Sequence, residues 1–426
     1  MIKIALIAKK RAFTLAEVIV SSALVVGIMG LLLTTVDQTH KTINNTTTKI
    51  AQFQAARTAF DAMTRTLSQA TLNTYWDLDF DKNYNPTSYR RQSDLHFISG
   101  KASNFFIDDK DSKQLNYPGH AVFFQAPLGI TYEEKRDSAV STSKDIRSYR
   151  SLSNLMSVAG YYVKWGKDDR VPSFITNADR YRFRLMQVFQ PGETVAIYNN
   201  DNYNKIAEKY PGNANDDMLD WLKIALGLKR FPEKTGPKDV NGKSDDSANK
   251  SFCRPFAENI ISLIIVPKVA EVDRKKANFI NDLTEDYEYN SRPKIAYNAQ
   301  GRYPASRNIT EDIGTKNQYS RQLHQLPPIL QVTMIAIDEE SAVRLESYSS
   351  DAQDFSSDLF TKLGVVSETF EKDLGDISNT SKNSLLYRLT NPDHDLPSSE
   401  HPRPKLKYRV FTTDVVLRGS KWTKIQ

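Results

Sequence analysis

The chain opens on an apolar block. Residues 13–36, FTLAEVIVSSALVVGIMGLLLTTV, contain 24 residues and a single charge, Glu17. As an α-helix this block spans about 36 Å, more than the roughly 30 Å hydrocarbon core of a bilayer. No Pro or Gly occurs between 37 and 72, so nothing local ends the helix there. Ile43, Ile50, Phe53, Phe60, Met63 and Leu67 follow at spacings of 7, 3, 7, 3 and 4, a narrow helical stripe with a near-heptad period. The later half of the stripe is expected to pack on the protein's own sheet. The earlier half, with NNTTT at 44–48, is polar and Thr-rich, suited to fraying or to packing on a neighbouring chain. A helix over 13–72 would be about 90 Å long.

From about residue 75 the pattern changes to short strand-like runs between polar loops. Runs at 95–98, 121–125, 160–165, 182–189, 259–266, 329–337 and 408–417 predict strands, and YRFRLMQVF alternates polar and apolar as one half-buried face requires. Helices are predicted at 215–228, capped by Asn215 or Asp216, and at 351–363 and 378–389. Residues 232–251, 290–325 and 391–406 are polar and read as long surface insertions. No internal repeat is evident. Strands behind a leading helix predict an α+β fold: a long N-terminal helix packed on an antiparallel β-sheet head with large loop insertions.

Composition narrows the class. The 426 residues allow one large domain or two to three small ones. With 39% apolar and 25% charged residues, a polytopic membrane protein is excluded, and 10% aromatics argue against wholesale disorder. The single cysteine, Cys253, rules out an internal disulfide framework and a Cys-based zinc site. The net charge of +6 would suit nucleic acid, but Lys3, Lys9, Lys10 and Arg11 lie in the first twelve residues, and without them the balance falls to +2. The basic excess therefore sits in a short tail, and nucleic acid is not an expected partner.

That tail orients the apolar block. Positive charge on one flank places residues 1–12 in the cytoplasm and everything after Val36 across the membrane. A secretory signal peptide would have an apolar core of about 7–15 residues and a small-residue cleavage site after it, and this run is longer and lacks that site. A plain anchor leaves Glu17 unexplained, because a carboxylate within a membrane costs a few kcal/mol. The third reading makes the charge functional.

KKRA and FTLAE followed by an apolar helix resemble the prepilin-type cleavage and methylation segment of type IV pilins and pseudopilins. The resemblance implies that a prepilin peptidase cuts between Ala12 and Phe13, that Phe13 is then N-methylated, and that Glu17 becomes the fifth residue of the mature chain. The family usually has Gly before the cut, where this chain has Ala12. A free amine at Phe13 and a carboxylate one turn along suit each other physically. Glu17 of one subunit can neutralise the amine of its neighbour and so remove an unpaired charge from lipid.

Further along, GYYVKW, AENIISLIIVPK, LPPILQVTMIAID and RVFTTDVVLR are similar to the larger minor pseudopilins, the J-type subunits of type II secretion. FQAARTAFDAMTRTLSQATLNTYWDLD, RRQSDLHFISG and HAVFFQAPLG resemble more closely still the Verru_Chthon cassette protein C family, prepilin-type proteins of Verrucomicrobia. Together these resemblances imply a pilin-like organisation: a cytoplasmic leader at 1–12, a single transmembrane pass at 13–36, a helix extension at 37–74 and a periplasmic head at 75–426. They imply a minor subunit of a type II secretion-like or type IV pilus-like filament, held in a bacterial inner membrane and later in a periplasmic or extracellular filament. The implied partners are the prepilin peptidase, other pilin-like subunits, an inner-membrane assembly platform with its ATPase, and membrane lipid. A rival expectation is a membrane-anchored periplasmic enzyme or binding protein that acts without assembly.

Catalytic motifs are absent: there is no P-loop, no G-x-S-x-G, no H-E-x-x-H and no dinucleotide fingerprint. No catalytic residue and no cofactor are expected, and Cys253 has no His nearby in sequence. DLDFDKNYN places Asp77, Asp79 and Asp81 at alternate positions, as in an EF-hand loop, but Lys82 and Ser88 stand where Gly and Glu are needed. Some pseudopilins bind calcium, which makes these three aspartates the weak metal candidates of a segment otherwise read as a solvated acidic loop. Asp393, His394, Asp395, Glu400 and His401 have metal-ligand chemistry, but Pro392, Pro397 and Pro402 make them an extended loop. Tyr149, Arg150 and RYRFR at 180–184 interleave bases with aromatics, and are read as a solvated strand face with Arg outward.

Overall fold

A computed structural model of the chain describes residues 14–80, 85–102, 105–106, 117–129, 154–167, 180–192, 195, 220–226, 252–268, 288–291, 324–348 and 406–420. The predicted helices at 351–363 and 378–389 and the histidine-bearing loop at 391–405 lie outside these residues. The chain divides into two compact units, Met1–Gln54 and Ala55–Gln426.

Helix α1 (Leu15–Leu67) is one unbroken element of 53 residues. Its last turns carry Ala56, Ala59, Phe60, Met63 and Leu67 on one face, and all five are buried. Ile43 and Ile50, the earlier half of the same stripe, are exposed. The helix stops at Leu67, short of the expected 72, with no Gly or Pro to stop it. The last turn tightens to i−3 bonds, Gln69 N–H to the Thr66 carbonyl (3.1 Å) and Ala70 N–H to the Leu67 carbonyl (3.0 Å). The next donor, Thr71 N–H, goes instead to the Gln125 carbonyl at 3.1 Å, so pairing with the head ends the helix.

The head is built from antiparallel sheets. A hairpin pairs β1 (Tyr75–Phe80) with β2 (Pro86–Gln92). A six-stranded sheet uses β3 (Ile98–Lys101), β4 (His120–Pro127), β5 (Met156–Lys167), β6 (Tyr181–Gln190), β7 (Cys253–Glu258) and β9 (Tyr289–Asn290) in the order β7-β6-β5-β4-β3-β9. A three-stranded sheet has β10 (Ile329–Ile337) between β8 (Ile260–Lys268) and β11 (Tyr408–Val416). With the leading helix this is an α+β chain.

The large sheet is covered on both faces, so β4 is buried at nearly every position rather than at alternate ones. Helix α2 (Asp220–Ala225) lies on one face, where Trp221, Leu222 and Ala225 join Phe123, Val158, Tyr162 and Val188 in a core. Tyr161, the next residue along β5, is on the opposite face and shares a hydrogen bond with Thr66 of α1. Phe60 of α1 also meets Phe411 of β11, with ring centroids 5.9 Å apart. The end of α1 thus contacts both larger sheets. Gly160 on β5 sits opposite Phe123, and a Cβ there would lie 2.2 Å from the Phe123 ring. The ring lies over the bare glycine, which no other residue permits.

The two larger sheets are joined by a corner at Asn259, whose φ is +60°. The chain leaves β7 and enters β8 there, and Asn259 bonds across both sheets: its N–H to the Phe183 carbonyl (2.8 Å), its carbonyl to the Ile337 N–H (2.9 Å). The single strand predicted at 259–266 is therefore the second of two. Pro255 hid β7 from the sequence. Here Pro255 lies on an edge strand at a register shift, where a missing N–H is tolerated.

Helix α3 (Glu339–Tyr348) follows β10 and was not expected. Asp338 caps it, its Oδ1 accepting the Ser341 N–H at 2.9 Å. β9 also departs from expectation, since Asn290 opens the segment 290–325 that reads as loop.

Candidate functional site

The first turn of α1 is held by a reciprocal pair. The Thr14 N–H donates to Glu17 Oε2 at 3.0 Å and the Thr14 hydroxyl to the same oxygen at 3.1 Å. The Glu17 N–H returns to Thr14 Oγ1 at 3.4 Å. This is a capping box, T-x-x-E, in which two helix-end donors that lack intrahelical partners are satisfied by each other's side chains. The spacing of Thr14 and Glu17 ahead of an apolar run carries this signal in FTLAE itself. The carboxylate thus has a role inside its own chain. Ala12 and Phe13, the residues of the expected cut, lie outside the described residues.

Beyond the cap the helix presents its apolar surface outward. Leu15, Val18, Ile19, Leu24, Val25, Ile28, Leu31, Leu32 and Val36 are all at least half exposed. The hydroxyls on this segment turn inward: Ser21 donates to the Glu17 carbonyl (2.7 Å), Ser22 to Ile19 (2.9 Å), and Thr34 and Thr35 both to Leu31 (2.8 Å). Their donors are satisfied by their own backbone, so the surface has no unmet hydroxyl proton. The helix is long and apolar enough to cross a membrane.

The other sequence candidates fare differently. Asp77 and Asp79 are in strand β1, opposite Arg90 and Ser88, and not in a loop. A hydrogen-bonded extended strand does not wrap a cation as an EF-hand loop does. Asp81 lies outside the described residues, among which no group of three or more His, Cys, Asp or Glu is placed to hold a metal. Tyr149 and Arg150 also lie outside them.

RYRFR is not a solvated face. Arg182 is 3% exposed and Arg184 is also buried. Arg182 pairs through Nη2 with Glu339 at 3.0 Å and through Nη1 with Glu346. Arg180 joins Glu339, the Asn259 amide donates to Glu339 Oε2 at 2.8 Å, and the Tyr181 N–H donates to Glu346 Oε1 at 2.8 Å. Burial would raise the Glu339 carboxyl. The hydrogen bonds from Asn259 and Arg182 and the charges of Arg182 and Arg180 outweigh it and hold the group below its ordinary value. This cluster fastens α3 to β6 and to the Asn259 corner. Its arginines are engaged internally, which leaves no basic stripe for phosphates here.

Two buried histidines also serve the fold. The Trp221 indole donates to His96 Nδ1 (3.1 Å), whose Nε2 meets Asn290 Oδ1 at 2.7 Å, tying α2 to β9. His120 on β4 reaches β8, where its Nδ1 accepts the Ile265 N–H at 3.0 Å. Cys253 is half-buried beside the Ala225 carbonyl. Compared with family models, with curated proteins and with solved structures, the chain has no match.

Proposed function

We propose that the chain is a structural, non-enzymatic filament subunit of the pilin and pseudopilin kind. Its leader is removed after Ala12, Phe13 becomes the methylated N-terminus, and α1 first holds the chain in the membrane with the head on the far side. The apolar surface of α1 then packs against other pilin-like helices. The observation that carries the reading is the helix itself. Its first half exposes apolar residues on every side, with one carboxylate at the first turn, and it runs without a break into a last section buried in the head. A helix with no polar face needs lipid or other helices around it. The size of the head favours a minor subunit at or near a tip, because bulky heads crowd a tightly packed shaft.

Intact-mass analysis and N-terminal sequencing of the membrane-extracted protein test this. A chain beginning at methylated Phe13 is expected. A chain still beginning at Met1, in cells that process other prepilins, would overturn the reading and leave a membrane-anchored enzyme or binding protein. Two variants separate the roles of the first turn. Thr14→Ala removes the cap but keeps the carboxylate and should still assemble. Glu17→Ala should insert and be cleaved but fail to enter filaments.

A further inference from the structure

The two larger sheets end on β7, β9, β8 and β11, and three of these edges are closed or blunted. β7 carries Pro255 at a register shift. β9 is two residues long. β8 is buried, with His120 of β4 set against its Ile265. β11 has none of these devices: it runs nine residues in unbroken register with β10 and contains no Pro. Two bonds just beyond its ends fix the phase of the ladder. The Leu417 N–H donates to the Pro328 carbonyl and the Asp338 N–H to the Lys407 carbonyl, both at 3.1 Å. Bonded positions alternate along an antiparallel pair, so the odd-numbered residues of β11 turn their backbone groups to β10 and the even-numbered ones turn theirs outward. The outward N–H and C=O groups of Val410, Thr412, Asp414 and Val416 meet no partner among the described residues. The side chains of these four share one face, on which Thr412, Asp414 and Val416 are exposed. The other face turns Phe411 to Phe60 of α1.

We propose that the open edge of β11 binds an extended segment of another protein by antiparallel strand addition. The backbone selects this class of ligand. Its outward donors and acceptors recur every second residue, roughly 6.8 Å apart, a repeat that an extended chain matches and a helix, with its own groups bonded internally, does not. Antiparallel pairing is the more stable of the two directions. The side chains narrow the choice. Asp414 is exposed and in no ion pair among the described residues, so Lys or Arg belongs opposite it. Val416, 61% exposed, and Val410 take apolar partners. Opposite Val416, Asp414, Thr412 and Val410 the ligand therefore runs apolar-x-basic-x-polar-x-apolar. The edge belongs to the head and acts with or without a filament.

Fluorescence anisotropy of the labelled peptide VTKTTTV, titrated with the full chain in detergent, tests this. Saturable binding is expected. Replacing the Lys of the peptide with Glu should weaken binding about fivefold, and Asp414→Lys should reverse that preference. Val410→Pro removes an outward N–H without taking one from β10. It should weaken binding at least about tenfold, with thermal unfolding showing that the head still folds. Should Val410→Pro not fold, the exposed Asp414→Lys decides alone. No saturable binding, a peptide preference that ignores residue 414, or undiminished binding to a folded Val410→Pro would each overturn the proposal. So would a wild-type chain that is dimeric in detergent and becomes monomeric on Val410→Pro, since a second copy would then hold the edge.

Discussion

His120 should make the head acid-sensitive, and the size of the effect follows from its surroundings. The ring is wholly buried between β4 and β8, and its Nδ1 lies 3.0 Å from the Ile265 nitrogen and 3.2 Å from the Ile265 carbonyl oxygen. Protonation would place a charge in the core, which the Ile265 carbonyl offsets only in part. Burial is the larger cause, and it lowers the group from 6.5 to about 4. The unfolded chain binds this proton more readily than the folded chain does. Stability from the neutral ring is therefore full above pH 6.5 and falls as the pH drops toward 4. By linkage the loss is about 2 kcal/mol between pH 7 and pH 5 and approaches roughly 3 kcal/mol below that. In a head of this size that is a fall in Tm of about 3 °C by pH 5. The assay is thermal unfolding of the full chain in detergent at pH 7.5 and pH 5, wild type against His120→Asn. Asn keeps an acceptor for the Ile265 N–H but has no proton to take up. Other titrating groups act in both proteins and cancel in the difference of differences. Equal pH dependence in the two proteins would refute the reasoning, because the imidazole could not then be both buried and neutral.

Other perturbations probe the remaining contacts. Gly160→Ala should destabilise the head by about 1–3 kcal/mol through overpacking against Phe123, and Gly160→Ala with Phe123→Leu should recover part of the loss in a double-mutant cycle of chemical denaturation. Arg182→Met should cost on the order of 3 kcal/mol by taking the shared arginine from two half-buried carboxylates, leaving Glu339 with Arg180 and Asn259 and Glu346 with the Tyr181 N–H, and removing both glutamates as well should cost less than the arginine alone. Glu339 sits below its ordinary 4.5, so its contribution is full above that pH and is lost as the pH falls through its folded value; Glu339→Gln should flatten the stability curve only there. Met63→Ala should cost about 2–5 kcal/mol in the same assay, whereas the exposed Ile50→Ala should leave head stability unchanged within about 0.5 kcal/mol.

Much of this architecture was legible because its signals are local. The helical stripe at Phe60, Met63 and Leu67 and the absence of Gly and Pro from 37–72 mark the later part of α1, and its apolar block marks the membrane-length segment. The runs at 329–337 and 408–417 matched β10 and β11 almost residue for residue, since β-branched residues dominate them. Two further signals are local: the capping box in FTLAE, and Asp338 ahead of a helix start. What the sequence could not determine came from distant partners. Pro255 lies in a strand because β7 is the edge of its sheet and the register with β6 shifts there. Asp77 and Asp79 adopt a strand against their poor propensity because β2 pairs with them. The helix ends at Leu67 because Gln125 takes the next donor. Arg182, polar by every local rule, is buried because Glu339 and Glu346 reach it from more than 150 residues away. Periodicity reports what one element buries. Which charge finds which across the head is decided only when the sheets come together.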